Sequence, residues 1–446
     1  MYEIKPITGQ EISRILNSKL IGKDNIIKYI STDTREKFFK NTCFIALNGN
    51  NYDGNEFIND AIKNNCALII TNKSIICSRT PTIIVKDTKI AFGLLAKFLS
   101  HKAKVIGITG SVGKTTVKEM VSLILREQFS ISSTIKNENN EIGVAKTLLS
   151  QDDNDYCVVE MGMRGIGEIE YLSYLTEPQI SVITNCGTSH LELLVSEENI
   201  FKAKMEILKY TQKYAVVPYE KRFISYDYEE KEVLFIGKDI KCLKLNYFEN
   251  GIKFSVKYKN DVIENIELCT FNVNIVNNSL FAIAVGKLCG ISNENIKHGL
   301  KKYKGENMHE EIIKIRGITV INDCYNASYE SVKGAIFSLK KYSDIKKVTP
   351  NLLLGDMLEI GVESQEYHYR IGELCKDLGI KNLFAIGKYA KNITDGFSGG
   401  IVCNQSEDLA SLIMSKLSEN DVLLVKASRA LMLEKIVDQM KEMENE

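Results

Sequence analysis

The sequence predicts an α/β protein of three domains: a small N-terminal α/β unit, a central unit on a parallel sheet, and a C-terminal doubly wound sheet. Three observations carry this expectation. Apolar runs of strand length alternate with stretches of helical periodicity over roughly 1–212 and again from about 307. Between them, past residue 213, the texture changes to short β segments. At 446 residues the chain is also long enough for about three domains. The expected bounds are 1–85, 86–306 and 307–446.

Composition narrows the function classes. Lys+Arg and Asp+Glu are both 57, so the net charge is zero, which argues against nucleic acid or an anionic membrane as main partner. The 11 cysteines are scattered singly with no C-x-x-C pair, so they are expected to be reduced, in a cytoplasmic protein. The start, Met1-Tyr2-Glu3-Ile4-Lys5-Pro6, has neither a basic nor an apolar leader segment, and no apolar run reaches membrane-spanning length.

In the N-terminal unit, Phe44–Leu47 and Ala67–Thr71 read as strands and Glu56–Lys63 as a helix between them. Ser31, Asp33, Thr34 and Arg35 pack hydroxyls, a carboxylate and a guanidinium into a few positions. They suit either an anion or sugar-nucleotide site or a plain polar loop.

The central unit is organised around Val105–Thr116. A β-branched strand runs into Gly110-Ser111-Val112-Gly113, then Lys114-Thr115-Thr116 and a helical stretch through Leu125. Strand, glycine turn and helix make a phosphate cradle: backbone N–H groups converge on the anion, the helix N-terminus adds positive potential, and a lysine reaches the β/γ-phosphates. The domain therefore reads as a P-loop ATPase, with Lys114 on the phosphates and the Thr115 hydroxyl available to Mg²⁺. The spelling departs from the strict pattern, since Ile108 stands five positions before Gly113 and Gly107 and Gly110 bracket it.

Asn137, Asn139 and Asn140 follow, as turn formers or as hydrogen-bonding groups facing a ligand. The strands Tyr156–Glu160 and Ile180–Asn185 end in polar residues, the second leading to His190. Ligands of such sheets bind at the strands' carboxyl ends, so Glu160 and His190 are expected beside Lys114, the carboxylate suiting Mg²⁺. By residue type alone His190 is also a packed histidine, and Lys204, on the helix Glu197–Leu208, a solvated surface lysine. Asn250-Gly251, flanked by Tyr247-Phe248 and by alternating Ile252, Phe254, Val256 and Tyr258, marks a hairpin, and a helix is expected over Asn278–Leu288. In the last unit Ile318–Ile321, Asn351–Leu354, Leu383–Ile386 and Val422–Val425 read as strands with polar clusters at their ends.

Taken in order, Gly107–Thr116, Asn137–Gly143, Glu160–Met163, Thr184-Asn185 with Thr188–Glu192, Ala203–Ile207, Asp323–Ala327, Leu354–Glu359 and Lys426–Arg429 resemble the Mur ligases, and among them the branch that adds D-alanyl-D-alanine. Asp33–Arg35, Phe44–Leu47, Asp53-Gly54 and Phe57 look like that branch's N-terminal domain.

The resemblance implies a uridine-diphosphate-binding domain, a central ATPase and a Rossmann-like domain that closes over the nucleotide. It implies ATP-dependent amide formation between UDP-N-acetylmuramoyl-tripeptide and D-Ala-D-Ala through an acyl phosphate, in a monomeric cytoplasmic enzyme of peptidoglycan precursor synthesis. It places Gly110–Thr116 on the phosphates, Thr115 and Glu160 on one Mg²⁺, and His190 with a carbamylated Lys204 on a second. Ser31, Asp33, Thr34, Arg35, Asn137, Asn139 and Asn140 would meet the substrate, and Asp323 and Asn326 the nucleotide. The family's adenine-side His-Asn pair falls at Asn274-Ile275, a phosphate-reaching arginine at His309, and the glycine of Lys-Gly-Ser-Arg at Ala427. Those departures keep two alternatives in view: a paralogue joining other amino compounds by the same chemistry, and a nucleotide-binding protein of reduced activity.

Overall fold

The computed structural model describes residues 1–49, 52–74, 80–100, 103–151, 153–187, 196–305, 311–358, 360–404 and 408–443. Among these residues the strands form three sheets, of six, nine and six strands. The first contains β1 (Tyr2–Thr8), β2 (Leu20–Ile21), β3 (Ile26–Ser31), β4 (Thr42–Ile45), β5 (Leu68–Thr71) and β6 (Thr82–Ile84), in the order β1-β3-β4-β5-β6-β2. Its inner strands β3 to β6 are parallel, and both edge strands are antiparallel.

The second sheet contains β7 (Lys104–Thr109), β8 (Ile131–Ser133), β9 (Tyr156–Glu160), β10 (Ile180–Ile183), β11 (Tyr214–Pro218), β12 (Glu232–Ile236), β13 (Ile240–Phe248), β14 (Gly251–Tyr258) and β15 (Asp261–Leu268). The order is β15-β14-β13-β12-β11-β10-β7-β9-β8. From β8 to β13 it is parallel, and the hairpins β13-β14-β15 extend it antiparallel. From β7 the chain crosses to β8, returns to β9 beside β7, and then passes to β10 on β7's other side. The direction of winding reverses at β7, so the loop after it opens where ligands of doubly wound sheets bind.

Both faces of this sheet are covered, which is why its strands read as unbroken apolar runs. Alternation sends Ile106, Ile108, Val158, Val182 and Val216 to one core, with Met120, Val121 and Ile124 of the helix Lys114–Leu125 and Leu280 and Ile283 of the helix Val273–Leu288. Val105, Cys157, Val159, Ile183, Ala215 and Val217 face the other way. There they join Phe92 and Leu95 of the helix Thr88–Leu99 and Ile27, Ile30, Ile45 and Ile70 of the first sheet in one continuous core.

The third sheet contains β16 (Glu311–Ile315), β17 (Ile318–Asp323), β18 (Thr349–Leu354), β19 (Asn382–Ile386), β20 (Ile401–Cys403) and β21 (Asp421–Lys426), ordered β16-β17-β21-β18-β19-β20. It is parallel except for β16. It is covered on both faces by two cores. The mixed α/β architecture in three domains is thus as expected.

Differences from the sequence reading lie at element ends and sheet edges. The helix expected from Asn278 begins at Val273, behind an Asn272 cap that accepts from Asn274 N–H at 2.9 Å. The helix expected through Leu208 ends at Met205 and tightens into a 3₁₀ turn, Glu206–Tyr210. The first turn of Glu56–Lys63 is likewise 3₁₀, Gly54–Phe57. The described cysteines are all free, and no helix among the described residues is long and apolar enough to cross a membrane.

The phosphate-loop helix is seated by glycines of its neighbours. A Cβ on Gly299, in the helix Asn293–Lys301, would lie 2.7 Å from Ile124 Cα and 2.9 Å from Leu123 O, both backbone atoms that cannot swing aside. Gly299→Ala is therefore expected to destabilise the fold by about 1–3 kcal/mol through overpacking, despite the helix-propensity gain of about 1 kcal/mol. A urea midpoint equal to or above wild type would refute this contact.

Candidate active site

The segment between β7 and the following helix turns on two glycines in conformations L-residues rarely adopt, Gly110 at φ +153° and Gly113 at φ +82°. Neighbours also approach them too closely for a side chain: a Cβ on Gly110 would collide with Thr184 Oγ1, and one on Gly113 would lie 2.6 Å from Asn278 Oδ1. The end of β10 clamps the turn. Thr184 Oγ1 and Asn185 Nδ2 donate to Val112 O at 2.6 and 2.9 Å, Val112 N–H donates to Asn185 Oδ1 at 3.1 Å, and Ser111 N–H to Asn185 O at 3.2 Å. Gly113 is the N-cap of the helix Lys114–Leu125 and has no capping side chain. That helix end keeps its positive potential for an anion. Lys114 Nζ curls back over the loop, donating to Gly110 O at 2.8 Å and Ser111 O at 3.2 Å.

The loop forms one wall of a cleft of about 1380 Å³ that the central and C-terminal sheets border, with Gly49 and Tyr52 reaching it from a loop of the N-terminal unit. Ser111, Val112, Gly113, Lys114, Thr115 and Thr116 line it, with Asn137, Asn139, Asn140 and Glu160 nearby and Asp323 and Asn326 across it. The carboxyl ends of β7, β9, β10 and β17 thus bring together residues more than 200 positions apart.

Glu160 closes β9 with its carboxylate 1% exposed. Oε1 accepts from Asn139 Nδ2 at 2.8 Å, while buried Oε2 has no hydrogen-bond partner. Its nearest cation is the buried Lys118 ammonium, 3.8 Å from Oε2 and outside hydrogen-bond reach, so that oxygen keeps its lone pairs to offer a metal. It fits an Mg²⁺ brought in beside Thr115 by phosphates, since that ion takes one or two carboxylates and otherwise phosphate and water oxygens.

Lys204 is not the surface residue that its helix suggests. It is 1% exposed, on the helix Glu197–Met205. Burial first, and then the neighbouring Lys114 charge, bring its amine down to about 7. A neutral amine near pH 7 can take up CO₂, which an ammonium cannot. The resulting carbamate would turn an unfavourable buried cation into the anionic oxygen donor that a metal requires, so Lys204 also fits the group implied for it.

Other expected residues are differently employed. Ser31, Asp33, Thr34 and Arg35 are not among the residues that line the cleft. Ser31 Oγ donates to Glu36 Oε2 at 2.6 Å, and Arg35 closes on Asp33, holding that carboxyl down to about 2. Asn140 is the N-cap of the helix Glu141–Leu149, its Oδ1 accepting from Gly143 N–H at 2.9 Å, so its oxygen is already used. Asp323 is salt-bridged to Lys426 at 2.6 Å, and Lys426 also donates to Asn326 O at 2.9 Å. His190 and His309 lie outside the described residues.

The structure adds lining residues to which the sequence reading gave no role: Tyr52 from the N-terminal unit, Lys89 on the helix Thr88–Leu99, and Asn277 and Asn278 on the helix Val273–Leu288; Lys426, noted only as part of a motif, lines it too. Of the asparagines at 274, 277 and 278, the sequence reading used 278 only as the start of a helix and 274 only as a departure from the family pattern. Their recurrence at one helical face was the available signal. Ala427, where the related pattern has glycine, is buried with its methyl against Gly355, whose missing Cβ makes room for it.

Comparisons with known proteins agree with this arrangement. Residues 108–286 match the Mur ligase middle domain and residues 310–429 the Mur ligase, glutamate ligase domain. The UDP-N-acetylmuramoyl-tripeptide--D-alanyl-D-alanine ligase of Bacillus subtilis (strain 168) is 35% identical over 442 residues, covering 93% of each chain. The enzyme of the same name from Buchnera aphidicola subsp. Acyrthosiphon pisum is 34% identical, covering 97% of each. A crystal structure of MurF from Acinetobacter baumannii superposes with a TM-score of 0.89 at 26% identity, covering 99% of this chain and 100% of that one.

Two outcomes follow from the geometry. Lys114→Ala removes a preorganised cation from the phosphate site, a contribution of roughly 3–4 kcal/mol, so turnover should fall a hundredfold or more. Activity within about threefold of wild type, under 1 kcal/mol, would remove Lys114 from the site. Lys204 carries a pH signature in CO₂-free, metal-free buffer. Its folded value of about 7 lies below its ordinary 10.5, so the unfolded chain binds the extra proton between them and wild-type stability rises with pH over that window. Lys204→Met, which lacks the titration, should gain on wild type as pH falls from 10.5 toward 7 and level off below. A constant difference across denaturant titrations at pH 6 to 10 would contradict it.

Proposed function

Because the chain belongs to the Mur ligase family, we propose that it joins D-alanyl-D-alanine to UDP-N-acetylmuramoyl-tripeptide in peptidoglycan precursor synthesis, as an ATP-dependent, ADP-forming ligase. The observation that carries this reading is an uncapped phosphate loop and a buried carboxylate with an oxygen outside any hydrogen bond on one cleft, with the buried Lys204 amine close enough to feel the Lys114 charge. Relatives of that name align over nearly the whole chain.

In this reading the amides of Gly110–Thr116 and the Lys114 ammonium hold the β- and γ-phosphates of ATP. The acceptor's terminal carboxylate attacks the γ-phosphorus, the bond to the bridging oxygen breaks, and ADP leaves. The dipeptide's amine, having lost a proton, attacks the acyl carbon and inorganic phosphate leaves with the former carboxylate oxygen. Lys114 steadies charge on the transferring phosphoryl group, a task of positioning and electrostatics. Thr115 and Glu160 would hold one Mg²⁺, and His190 with a carbamate on Lys204 a second. Bound there, the ions would offset phosphate charge. Asn137 and Asn139 face the acceptor, with Asn140 shaping the same turn, and Ser31, Asp33, Thr34 and Arg35 serve its UDP end. Asp323 and Asn326 meet the nucleotide from the C-terminal side, and His309 stands at the position of a phosphate-reaching arginine.

Residues 1–85 then form the UDP-substrate domain, 86–306 the ATPase and 307–446 the Rossmann-like domain, a division supported by the three sheets. The enzyme works as a cytoplasmic monomer, where ATP and UDP-activated precursors are found.

Phosphate release from ATP and Mg²⁺ tests the reaction: it should require UDP-N-acetylmuramoyl-tripeptide together with D-Ala-D-Ala. Lys204→Ala should be inactive and should recover partly and saturably with formate or acetate, but not with chloride at equal ionic strength. Full activity of Lys204→Ala without added carboxylate would leave the carbamate without support.

A further inference from the structure

One turn beyond Lys114 on the same helix, Lys118 is fully buried, and the phosphate contacts make no use of it. A buried ammonium is costly unless its donors are satisfied. Here they are directed away from the phosphate loop. Lys118 Nζ donates to Thr134 O at 3.1 Å and to Lys136 O at 2.7 Å, with Glu119 Oε1 at 3.4 Å and Glu160 Oε2 at 3.8 Å. An ammonium has three N–H groups and no acceptor; two backbone carbonyls take hydrogen bonds from it and the two carboxylates balance its charge at longer range.

The contacted carbonyls begin the turn that carries Asn137 and Asn139 into the cleft. Lys136 sits at φ +49°, a left-handed conformation unusual for a lysine, and its carbonyl takes the shortest of the Lys118 bonds. From there the turn is tied to β9: Asn139 Nδ2 to Glu160 Oε1, Gly162 N–H to Asn139 O at 2.9 Å, and Glu160 N–H to Thr134 Oγ1 at 3.0 Å. Gly162 leaves no room for a side chain, since its Cβ would lie 2.5 Å from Asn139 Oδ1.

We infer that Lys118 is a positioning residue that braces the 134–139 turn and the Glu160 carboxylate from behind, and so sets the surface offered to the acceptor peptide. The inference rests on the acceptor reading given above. It makes one helix serve both substrates, Lys114 toward the phosphates and Lys118 toward the acceptor turn.

The test uses the full chain carrying Lys118→Met, which keeps much of the volume and loses the donors. Calorimetry without nucleotide or Mg²⁺ should show UDP-N-acetylmuramoyl-tripeptide bound at least tenfold more weakly, while ADP in EDTA binds within twofold of wild type. Hydrogen exchange of the ligand-free protein should speed up at 134–140 and not at 106–113. Lys118→Arg, which keeps the charge with displaced donors, should fall between and serves in place of Lys118→Met if that variant does not fold. Tripeptide affinity within twofold of wild type, or equal loss of both ligands with uniform exchange, would overturn the inference. If wild type itself binds no tripeptide, the acceptor reading fails instead, and exchange at 134–140 still decides whether Lys118 holds the turn.

Discussion

The structure depends on one backbone constraint: an anion-binding turn at the reversal point of the central sheet, held open by left-handed glycines and pinned by the end of a neighbouring strand. Gly110 and Gly113 admit the conformation, and Thr184 and Asn185 of the β10 end hold it through Val112 and Ser111. Without the clamp the amides would be free to turn away from a common point. The cost of ordering them is met during folding, so an arriving phosphate finds its donors in place. Glu160 and Lys204 gain their chemical meaning from that point, one as a carboxylate with an oxygen outside any hydrogen bond and the other as an amine that burial and the Lys114 charge bring down to about 7.

Around the turn, polar groups are used sparingly and more than once. Asn139 supports Glu160 and fills the space left by Gly162. Asn185 uses both ends of its amide on the same residue, Val112. Lys426 spans Asp323 and Asn326 O and keeps the end of β17 in order. In a cleft this wide, shared partners let few side chains hold many backbone segments, which is how buried polar networks rigidify a site.

Much of this was legible in the sequence, for identifiable reasons. The β7 strand, its glycine turn and its helix follow from local chemistry, because phosphate binding demands that order. The parallel strands were visible because both their faces are buried. Edge strands such as β1, β16 and β20 were missed because half-exposed segments lack that continuous apolar signal. Helical periodicity could not show that Lys204 and Lys118 are buried, since burial of a lysine is decided by the elements packed over it. Nor could residue types show that Asn140 would spend its oxygen on a helix cap or Asp323 its charge on Lys426. These are consequences of tertiary placement, where one polar group finds another far away in the chain.

The two faces of the central sheet also have a mechanical meaning. On one face the apolar packing runs without a break into the first sheet, through Phe92 and Leu95. The C-terminal sheet instead carries its own two cores, and Phe271, stacked on Tyr247 and edge-on to Tyr342, links one of them to the central unit. The first two sheets therefore share one close-packed core, which ties the span between the N-terminal unit and the phosphate turn to the packing itself. The third sheet, packed on cores of its own, meets that block through the aromatic contact of Phe271 with Tyr247 and Tyr342, so its register against the phosphate turn is set by a few rings and not by a shared core.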